Sequence, residues 1–373
     1  MFSRPIRYAP IAVCMMAAAP VADNGLSAMR SQGPNIQIIK GQCRGCEAPF
    51  RLGQIQFVTE REGWSSAYYL PRVGNGSGLS TILRSTDGGR HWSRLSFVTQ
   101  QSAEDEPPFA FVGAKGWIAS FDSAKAVGQL SRTNDGGRSW SHRESGSLSQ
   151  LQFFDARHGY SVEETLTGSR FRATTDGGDT WSIVSLPVSH VDVMSFTNPK
   201  TGILAGRSQA TNDSETREAK MLHVLVTRDG GLHWTMAQLP VQSDGVAKAC
   251  AWLDPQTAFL AIWRPNDGGS ELLKTSDGGA TWARHPDESL QGVGRFISTI
   301  VFTSAHDGYL FYNDEHKQLN YIASTSDRGA TWQHRVFRWQ VSSCNTFKKD
   351  VWCASGMSVI KLAAREQAQP ASK

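Results

Sequence analysis

The sequence contains few charged residues, and their signs nearly balance. Asp, Glu, Lys and Arg make up 19% of the 373 residues, and 38 basic against 34 acidic side chains leave a net charge of +4. Two of these charges, Arg4 and Arg7, would be lost with an export signal. Sequence-independent binding of nucleic acid requires a strong excess of basic residues. We therefore expect no nucleic-acid partner.

The chain also lacks the run of roughly 20 apolar residues that a membrane-spanning helix requires. Its best candidate, from Ala9 to Ala19, is shorter and is interrupted by proline. This stretch follows two arginines and ends in small residues near Ala22, which is the order of an export signal. We predict a signal peptide over residues 1–22 and a periplasmic or secreted protein. Cys14 follows a bulky valine, a poor match to a lipoprotein cleavage site, so lipidation is the lesser alternative.

Cysteine is scarce, and beyond the signal its count is odd, which leaves at least one free thiol or an intermolecular bond. The five residues are Cys43, Cys46, Cys250, Cys344 and Cys353. A tight turn at Lys348 would place Cys344 opposite Cys353, and we predict a disulfide there. Cys43 and Cys46 have the spacing of a redox or half-zinc motif, but no second such pair exists. A loop disulfide or two free thiols both fit, and we expect no metal and no cofactor.

An eight-residue phrase, by contrast, is present six times. Each copy has Ser or Thr first, Asp third, Gly fifth and Trp eighth. The aspartates are Asp87, Asp135, Asp176, Asp229, Asp277 and Asp327, and the tryptophans are Trp92, Trp140, Trp181, Trp234, Trp282 and Trp332. Successive aspartates are 41 to 53 residues apart. This is about the length of one four-stranded blade of a β-propeller.

A second phrase precedes each copy: a large apolar residue, a turn, and a small residue followed by an aromatic or aliphatic one. We interpret it as strands A and B of a blade, with strand C before the eight-residue phrase and strand D after it. The large apolar residues are Phe57, Phe111, Phe154, Phe196, Leu253 and Phe302. A seventh copy, Phe347–Trp352, is followed by an apolar segment but by no eight-residue phrase.

The seventh blade therefore needs a fourth strand from elsewhere. The segment Asn35–Lys40 resembles a strand and has no place in blade 1. Its insertion into blade 7 would close the ring and leave no open sheet edge. We predict an all-β, seven-bladed β-propeller over residues 35–363, closed by this N-terminal strand in the last blade. We expect a disordered tail over 364–373 and a monomer.

The repeated aspartates are predicted to be structural. Their carboxylates and the preceding Ser or Thr hydroxyls can hydrogen-bond the backbone of the tight turn between strands C and D. The Gly two positions after Asp is present in every copy, which indicates a left-handed backbone there, whereas Arg328 replaces the Gly directly after Asp in the sixth. Each copy offers one carboxylate, too few for calcium. The tryptophans would pack against the neighbouring blade.

The repeated phrase resembles the Asp box, or bacterial neuraminidase repeat, and the likeness covers about residues 54 to 362. An export signal, compact blades and the pairing of the two phrases make the chain most similar to the photosystem II stability and assembly factor family. That resemblance implies a non-catalytic platform for membrane-protein assembly intermediates, with a protein partner. Because the Asp box also occurs in sialidases and other proteins, it indicates the fold more strongly than the function.

A sialidase-like glycoside hydrolase or a glycan-binding lectin is the alternative. Sialidases carry their first substrate-binding arginine in a Phe-Arg-Ile-Pro phrase, and the nearest segment here is Phe50-Arg51-Leu52-Gly53. The proline is missing, and no convincing pair of Tyr and Glu can serve as the nucleophile. We therefore expect no enzyme activity.

A partner is expected on the face that carries the B–C and D–A loops, opposite the Asp boxes. Two long B–C loops, Pro71–Ser80 and Arg207–Lys220, lie there. The candidate partner-binding residues are Arg207, Arg217, Lys220, Arg264 and Arg295. A solvated, mobile loop is the simpler interpretation of the second insertion. The functional one is a rim of arginines that bind carboxylates.

Overall fold

The computed structural model describes residues 35–44, 46, 50–69, 79–96, 101–102, 106–122, 127–165, 167–208, 221–240, 245–266 and 268–363. The predicted signal at 1–22, the predicted tail at 364–373, and the candidate residues Arg217 and Lys220 lie outside these ranges. The described residues form β-strands and a short 3₁₀ turn, Glu288–Leu290.

The strands form seven sheets, each built on four antiparallel strands, which confirms the predicted propeller. Strands A to D of blade 1 are Phe50–Phe57, Gly63–Tyr69, Leu79–Ser85 and His91–Arg94. Those of blade 2 are Phe109–Val112, Lys115–Asp122, Val127–Thr133 and Ser141–Ser145. Those of blade 3 are Leu148–Phe153, Gly159–Thr165, Gly168–Thr174 and Ser182–Ser185. Strands A to D of blade 4 are His190–Phe196, Gly202–Arg207, Leu222–Thr227 and Thr235–Met236. Those of blade 5 are Val246–Trp252, Ala258–Arg264, Gly269–Thr275 and Ala283–Arg284. Those of blade 6 are Arg295–Phe302, Gly308–Asp314, Leu319–Thr325 and Gln333–Phe337.

Blade 7 is built from both ends of the described chain. Its strands A to C are Ser343–Phe347, Asp350–Ser355 and Ser358–Ala363, and its outer strand is Asn35–Lys40. That outer strand pairs antiparallel with strand C, from Asn35 opposite Ala363 to Lys40 opposite Ser358. The predicted closure by the N-terminal strand is thereby confirmed.

Three short strands add to this plan. Gln42–Arg44 runs parallel to strand D of blade 1, so the N-terminal segment lies across blades 7 and 1. Gln101–Ser102 pairs with strand C of blade 1, and Gly292–Val293 pairs with strand C of blade 5. The sequence contains no alternating pattern long enough to predict any of them.

The second phrase forms the seams between blades. The ring of Phe111 in blade 2 lies over Gly116 of the same blade, where an added Cβ would be 2.0 Å from the ring. Trp64 of blade 1 stacks on the other side of Phe111 with ring centroids 3.7 Å apart, and Trp140 meets that ring edge-on at 6.1 Å. The small residue is therefore required because an aromatic ring of the same blade covers it.

This arrangement recurs at other seams. Trp117 stacks on Phe153 at 3.6 Å, and Tyr160 stacks on Phe196 at 4.1 Å. The tryptophans of the eight-residue phrase pack in the same clusters, each against the preceding blade. Stacked and edge-on aromatic pairs contribute about 0.5 to 1.5 kcal/mol each beyond the burial of their area.

The predicted position of this aromatic residue is wrong by one in two blades. Phe153, not Phe154, lies opposite Gly159 and ends strand A of blade 3. In blade 5, Trp252, not Leu253, lies opposite Ala258. The adjacent apolar residue begins the turn instead, as the hydrogen bond from the Phe154 amide to the His158 carbonyl shows. Two apolar residues in a row made the strand end ambiguous from the sequence.

The Asp-box turns are held by their own side chains. In blade 6 the Thr325 hydroxyl donates to Asp327 Oδ1 at 2.8 Å and accepts from the Gly329 amide at 2.9 Å. The amide and hydroxyl of Thr331 donate to the two oxygens of Asp327 at 3.0 and 2.6 Å. These bonds lower the pKa of Asp327 to about 2. Its carboxylate is therefore fully engaged within the turn.

Both positions after the box aspartate adopt a left-handed backbone, including Arg328 at φ 66°. Positive φ alone therefore does not explain why only the later Gly is present in every copy. The neighbours of the two positions differ: a Cβ on Gly231, at the later position, would lie 2.0 Å from the Phe171 ring of the preceding blade, whereas a Cβ on Gly177, at the earlier position, would lie 2.7 Å from the Ala156 carbonyl and one on Gly136 would meet nothing within 4 Å. The later Gly packs against the preceding blade, and the earlier one lies beside the A–B turn of its own blade.

We predict that Ile39→Ala will lower the free energy of unfolding by about 2 to 4 kcal/mol, because Ile39 is 7% exposed and packs at the seam of blades 7 and 1. Ile38→Ala is the matched control, since Ile38 is 37% exposed on the same strand, and we expect a change below about 0.5 kcal/mol. Urea unfolding of both variants measures the difference. Equal effects would show that this strand does not close the ring.

We predict that Asp327→Ala will lower the free energy of unfolding by about 1 to 2 kcal/mol at neutral pH, through loss of the turn's hydrogen bonds. Folding lowers the pKa of Asp327 from 3.8 to about 2. The stability that its ionised carboxylate contributes is therefore complete above pH 3.8 and is lost as the pH falls toward 2. Urea unfolding between pH 7 and pH 2 should show the difference shrinking. Glu315→Ala, an exposed control, should show no such dependence.

Candidate functional site

The candidate arginines lie at the end of the blades away from the Asp boxes, which we call the loop face because the B–C and D–A loops form it. Arg207 and Arg264 are the last residues of strand B in blades 4 and 5, and Arg295 is the first residue of strand A in blade 6. These three residues thus come from consecutive blades and share one face.

Arg207 is held by a buried carboxylate that the sequence analysis missed. Its Nη2 and Nε donate to Asp192 Oδ1 at 2.9 and 3.2 Å. The Asp192 side chain is 3% exposed and that of Arg207 is 27% exposed. The amide of Ala247 in blade 5 donates to the other oxygen at 3.2 Å. Burial raises the pKa of Asp192, while Arg207 and His190 oppose the rise.

A β-bulge presents Asp192 to this face. The register of strands A and B in blade 4 shifts between Val191 and Val193, so Asp192 is the extra residue. Bulges redirect a side chain that a regular strand would place elsewhere. The sequence signal was a charged residue between two valines in a strand.

Lys248 occupies the corresponding bulge of blade 5, between Ala247 and Ala249. Its Nζ lies 5.6 Å from the centroid of the Trp263 ring and 5.9 Å from that of the Phe296 ring. Partial desolvation by the surrounding groups lowers the pKa of Lys248, and the Asp192 carboxylate opposes this shift. Lys248 nevertheless remains an exposed residue. Lys248 was also missed, and its signal was the same: a charge among small apolar residues.

The other two candidate arginines repeat the pairing with a buried acid. Arg264 binds Glu271, and Arg295 Nε lies 3.1 Å from Asp314 Oδ2. The side chains of Glu271 and Asp314 are 9% and 3% exposed. The sequence analysis named these arginines without partners within the chain, and in the structure each of the three is anchored by a carboxylate from its own blade.

Each of the three acids has a second basic neighbour. Lys317 Nζ lies 3.8 Å from Asp314 Oδ2, and Lys248 is within Coulombic reach of Asp192. Near Glu271 the charges balance, because Arg284 contacts both Glu271 and Glu288. With Asp287 and Glu315, which also lie in the loops of this face, the described charges of blades 4 to 6 balance here. The loop face is therefore distinguished by guanidinium groups in fixed positions rather than by an excess of positive charge.

The five described cysteines do not contribute chemistry to this face. Cys344 and Cys353 lie directly opposite each other in strands A and B of blade 7 and form a disulfide, and Cys43 and Cys46 form another. Cys250 is a free thiol in strand A of blade 5, and burial raises its pKa to about 12. A thiol with so high a pKa is not a nucleophile at neutral pH.

Among the described residues, no three His, Cys, Asp or Glu side chains come together in an arrangement that could hold a metal ion. In the same part of the chain, no helix has the length and hydrophobicity needed to cross a membrane.

Comparisons with known proteins give a sequence relative and solved structures of the same fold. No protein-family model matches the sequence. The chain is 27% identical over 258 residues to the photosystem II assembly lipoprotein Ycf48 of Synechococcus sp. (strain CC9902), an alignment that covers 67% of each protein.

Among solved structures, YCF48 bound to a D1 peptide matches with a TM-score of 0.59 and 13% identity over 88% of this chain and 97% of that one. A GH74 enzyme from Niastella koreensis matches with a TM-score of 0.54 and 11% identity over 84% of this chain and 52% of that one. The chain is thus similar in sequence to a Ycf48 assembly lipoprotein, and it shares a propeller fold with both a Ycf48 protein and a glycoside hydrolase.

Proposed function

We propose that this chain is a non-enzymatic, exported propeller that serves as a protein-interaction platform in membrane-protein assembly, in the manner of photosystem II assembly factors. The observation that carries the proposal is the similarity to the Ycf48 assembly lipoprotein over 258 residues. Fold likeness alone supports the platform and the hydrolase equally, because the YCF48 structure bound to a D1 peptide and the GH74 enzyme are only 13% and 11% identical to this chain.

The proposed binding surface is the loop face of blades 4 to 6, and the proposed partner is an acidic protein segment. Arg207, Arg264 and Arg295 are each held in place by a buried carboxylate, which leaves N–H donors of the planar guanidinium for a second acceptor. Arg217 and Lys220, in the loop that follows Arg207, are further proposed contacts of the partner. A solved relative of the same fold is described as bound to a D1 peptide, which supports a peptide partner.

Export is part of the same proposal. The basic start, apolar stretch and small residues of positions 1–22 support a cleaved signal and a periplasmic or secreted protein. The Synechococcus relative is a lipoprotein by name, which favours Cys14 as the residue to examine if the mature chain is found attached to a membrane.

A glycan-acting enzyme or a lectin is the second candidate, favoured by the shared fold with a GH74 enzyme. Glycosidases generally need two carboxyl groups across one cleft, one of them protonated. On the loop face of blades 4 to 6, Asp192, Glu271 and Asp314 are each neutralised by an arginine, which favours binding over acid catalysis.

We predict that cross-linking of the exported protein in its own cells will recover a membrane or envelope protein, and that the double variant Arg207→Gln/Asp192→Asn will lower this recovery at least about fivefold. Both charges are removed together so that no buried charge is left unpaired. Arg138→Gln, on the Asp-box face, is the control and should leave recovery unchanged. Quantitative mass spectrometry of the cross-linked species measures the effect.

Two results would contradict this proposal. One is equal recovery from the wild type and the double variant, which would place the partner elsewhere. The other is turnover of any member of a panel of fluorogenic glycosides, abolished by a substitution on the loop face, which would make the chain an enzyme.

A further inference from the structure

One row of side chains crosses blade 6 at its loop-face end. Phe296, Asn313, Asn320 and Phe337 come from strands A, B, C and D, and each is directly opposite the next in register. Side chains opposite each other in antiparallel strands share one side of the sheet. The row therefore consists of two neighbouring amides between two aromatic rings.

This row opens into a narrow crevice at the seam with blade 7. Its lining includes Phe296 and the two asparagines of the row, together with Trp339, Gln340 and Val341 of the connection to blade 7. The crevice has a volume of about 10 Å³, which is room for about one water molecule. Sites for small molecules are usually a few hundred Å³, so a sugar ring does not fit inside it.

The amides of Asn313 and Asn320 are half-buried, and their side chains make no hydrogen bond to any other described residue. Together they offer four N–H donors and two carbonyl acceptors. Burying such groups without partners is costly, whereas burying them against matching donors and acceptors is not. A ligand that supplies both kinds of group at β-strand spacing would satisfy them.

Amide side chains already bind strand backbone at other seams of this molecule. Gln152 donates from Nε2 to the Phe196 carbonyl at 2.9 Å and accepts from the Phe196 amide at 3.0 Å. Gln56 binds the carbonyl and amide of Phe111 in the same way, at 2.8 and 2.9 Å. In each case one amide side chain holds both backbone groups of a residue in the next blade.

We propose that Asn313 and Asn320 bind the backbone of an extended peptide segment of the partner, laid along the mouth of this crevice between Phe296 and Trp339. The inference rests on the proposed function and specifies how its partner is held. The Lys248 ammonium lies 5.9 Å from the Phe296 ring, so a basic group of the loop face borders the crevice. Arg295 pairs with Asp314 on the opposite side of the blade 6 sheet and does not line the crevice. The segment therefore carries an acidic side chain beside Phe296 and a backbone held by neutral amides.

The test uses an acidic 12-residue peptide selected by display on the purified protein. We expect Asn313→Leu and Asn320→Leu, which keep the side-chain size, each to weaken binding of this peptide about tenfold. Gln333→Leu is the matched control, because it removes an exposed amide near the Asp-box end of the same blade and should leave binding unchanged. Fluorescence anisotropy measures the affinities, and thermal unfolding checks that all variants fold.

A second arm separates backbone recognition from a structural effect. Peptides methylated at one backbone nitrogen at a time remove one donor each. At the contacted position, methylation should weaken binding to the wild type about tenfold and leave binding to Asn320→Leu or Asn313→Leu unchanged, because the bond is already absent. A purely structural role for the asparagines predicts the same loss from methylation in all proteins.

The outcomes distinguish this inference from the proposed function. If the peptide binds and Arg207→Gln/Asp192→Asn weakens it but the asparagine variants do not, the inference is overturned and the proposed function stands. If selection yields no acidic peptide, or one whose binding the loop-face charges do not affect, the proposed function fails and the inference fails with it. Binding of glycans at the crevice, lost in Asn320→Leu, would also overturn it.

Discussion

The structure depends on the aromatic contact that joins each blade to the next. A ring from strand A covers a small residue of its own blade, and at several seams an aromatic residue from strand B of the preceding blade stacks on it, as Trp64 does on Phe111. The Asp-box tryptophan then packs against the same cluster. Because a single blade cannot bury these rings by itself, the contact is satisfied only in a closed ring. Closure in turn requires that the N-terminal strand complete blade 7.

This organisation separates stability from binding. At one end of the blades, the carboxylate oxygens of the box aspartates accept hydrogen bonds from their own turns, as at Asp327. These oxygens are therefore occupied and are poor acceptors for a ligand. At the other end, bulges in strand A bring Asp192 and Lys248 to the loop face, where they meet the arginines that end the B strands. Local departures from the repeat therefore determine where the molecule can recognise a partner.

The fold was predictable because its signals are local and recur. The Asp box marks the turn between strands C and D, the second phrase marks the turn between A and B, and the lack of a seventh box indicated the role of Asn35–Lys40. The candidate site was predictable only in part. The position of Arg295 follows from the strand order, but its pairing with Asp314 depends on strand register, as does the placement of Asn313 opposite Asn320. Register is set by turns and bulges that the sequence does not mark, which is also why Phe154 was predicted in place of Phe153.

Hydrogen exchange of the protein with and without its cross-linked partner tests the central claim most directly, namely that binding occurs on the loop face of blades 4 to 6. The account predicts slower amide exchange at the starts of strands A in these blades, around Asp192, Lys248 and Phe296, and unchanged exchange in the Asp-box turns. Protection confined to the Asp-box turns, with none on the loop face, would contradict it.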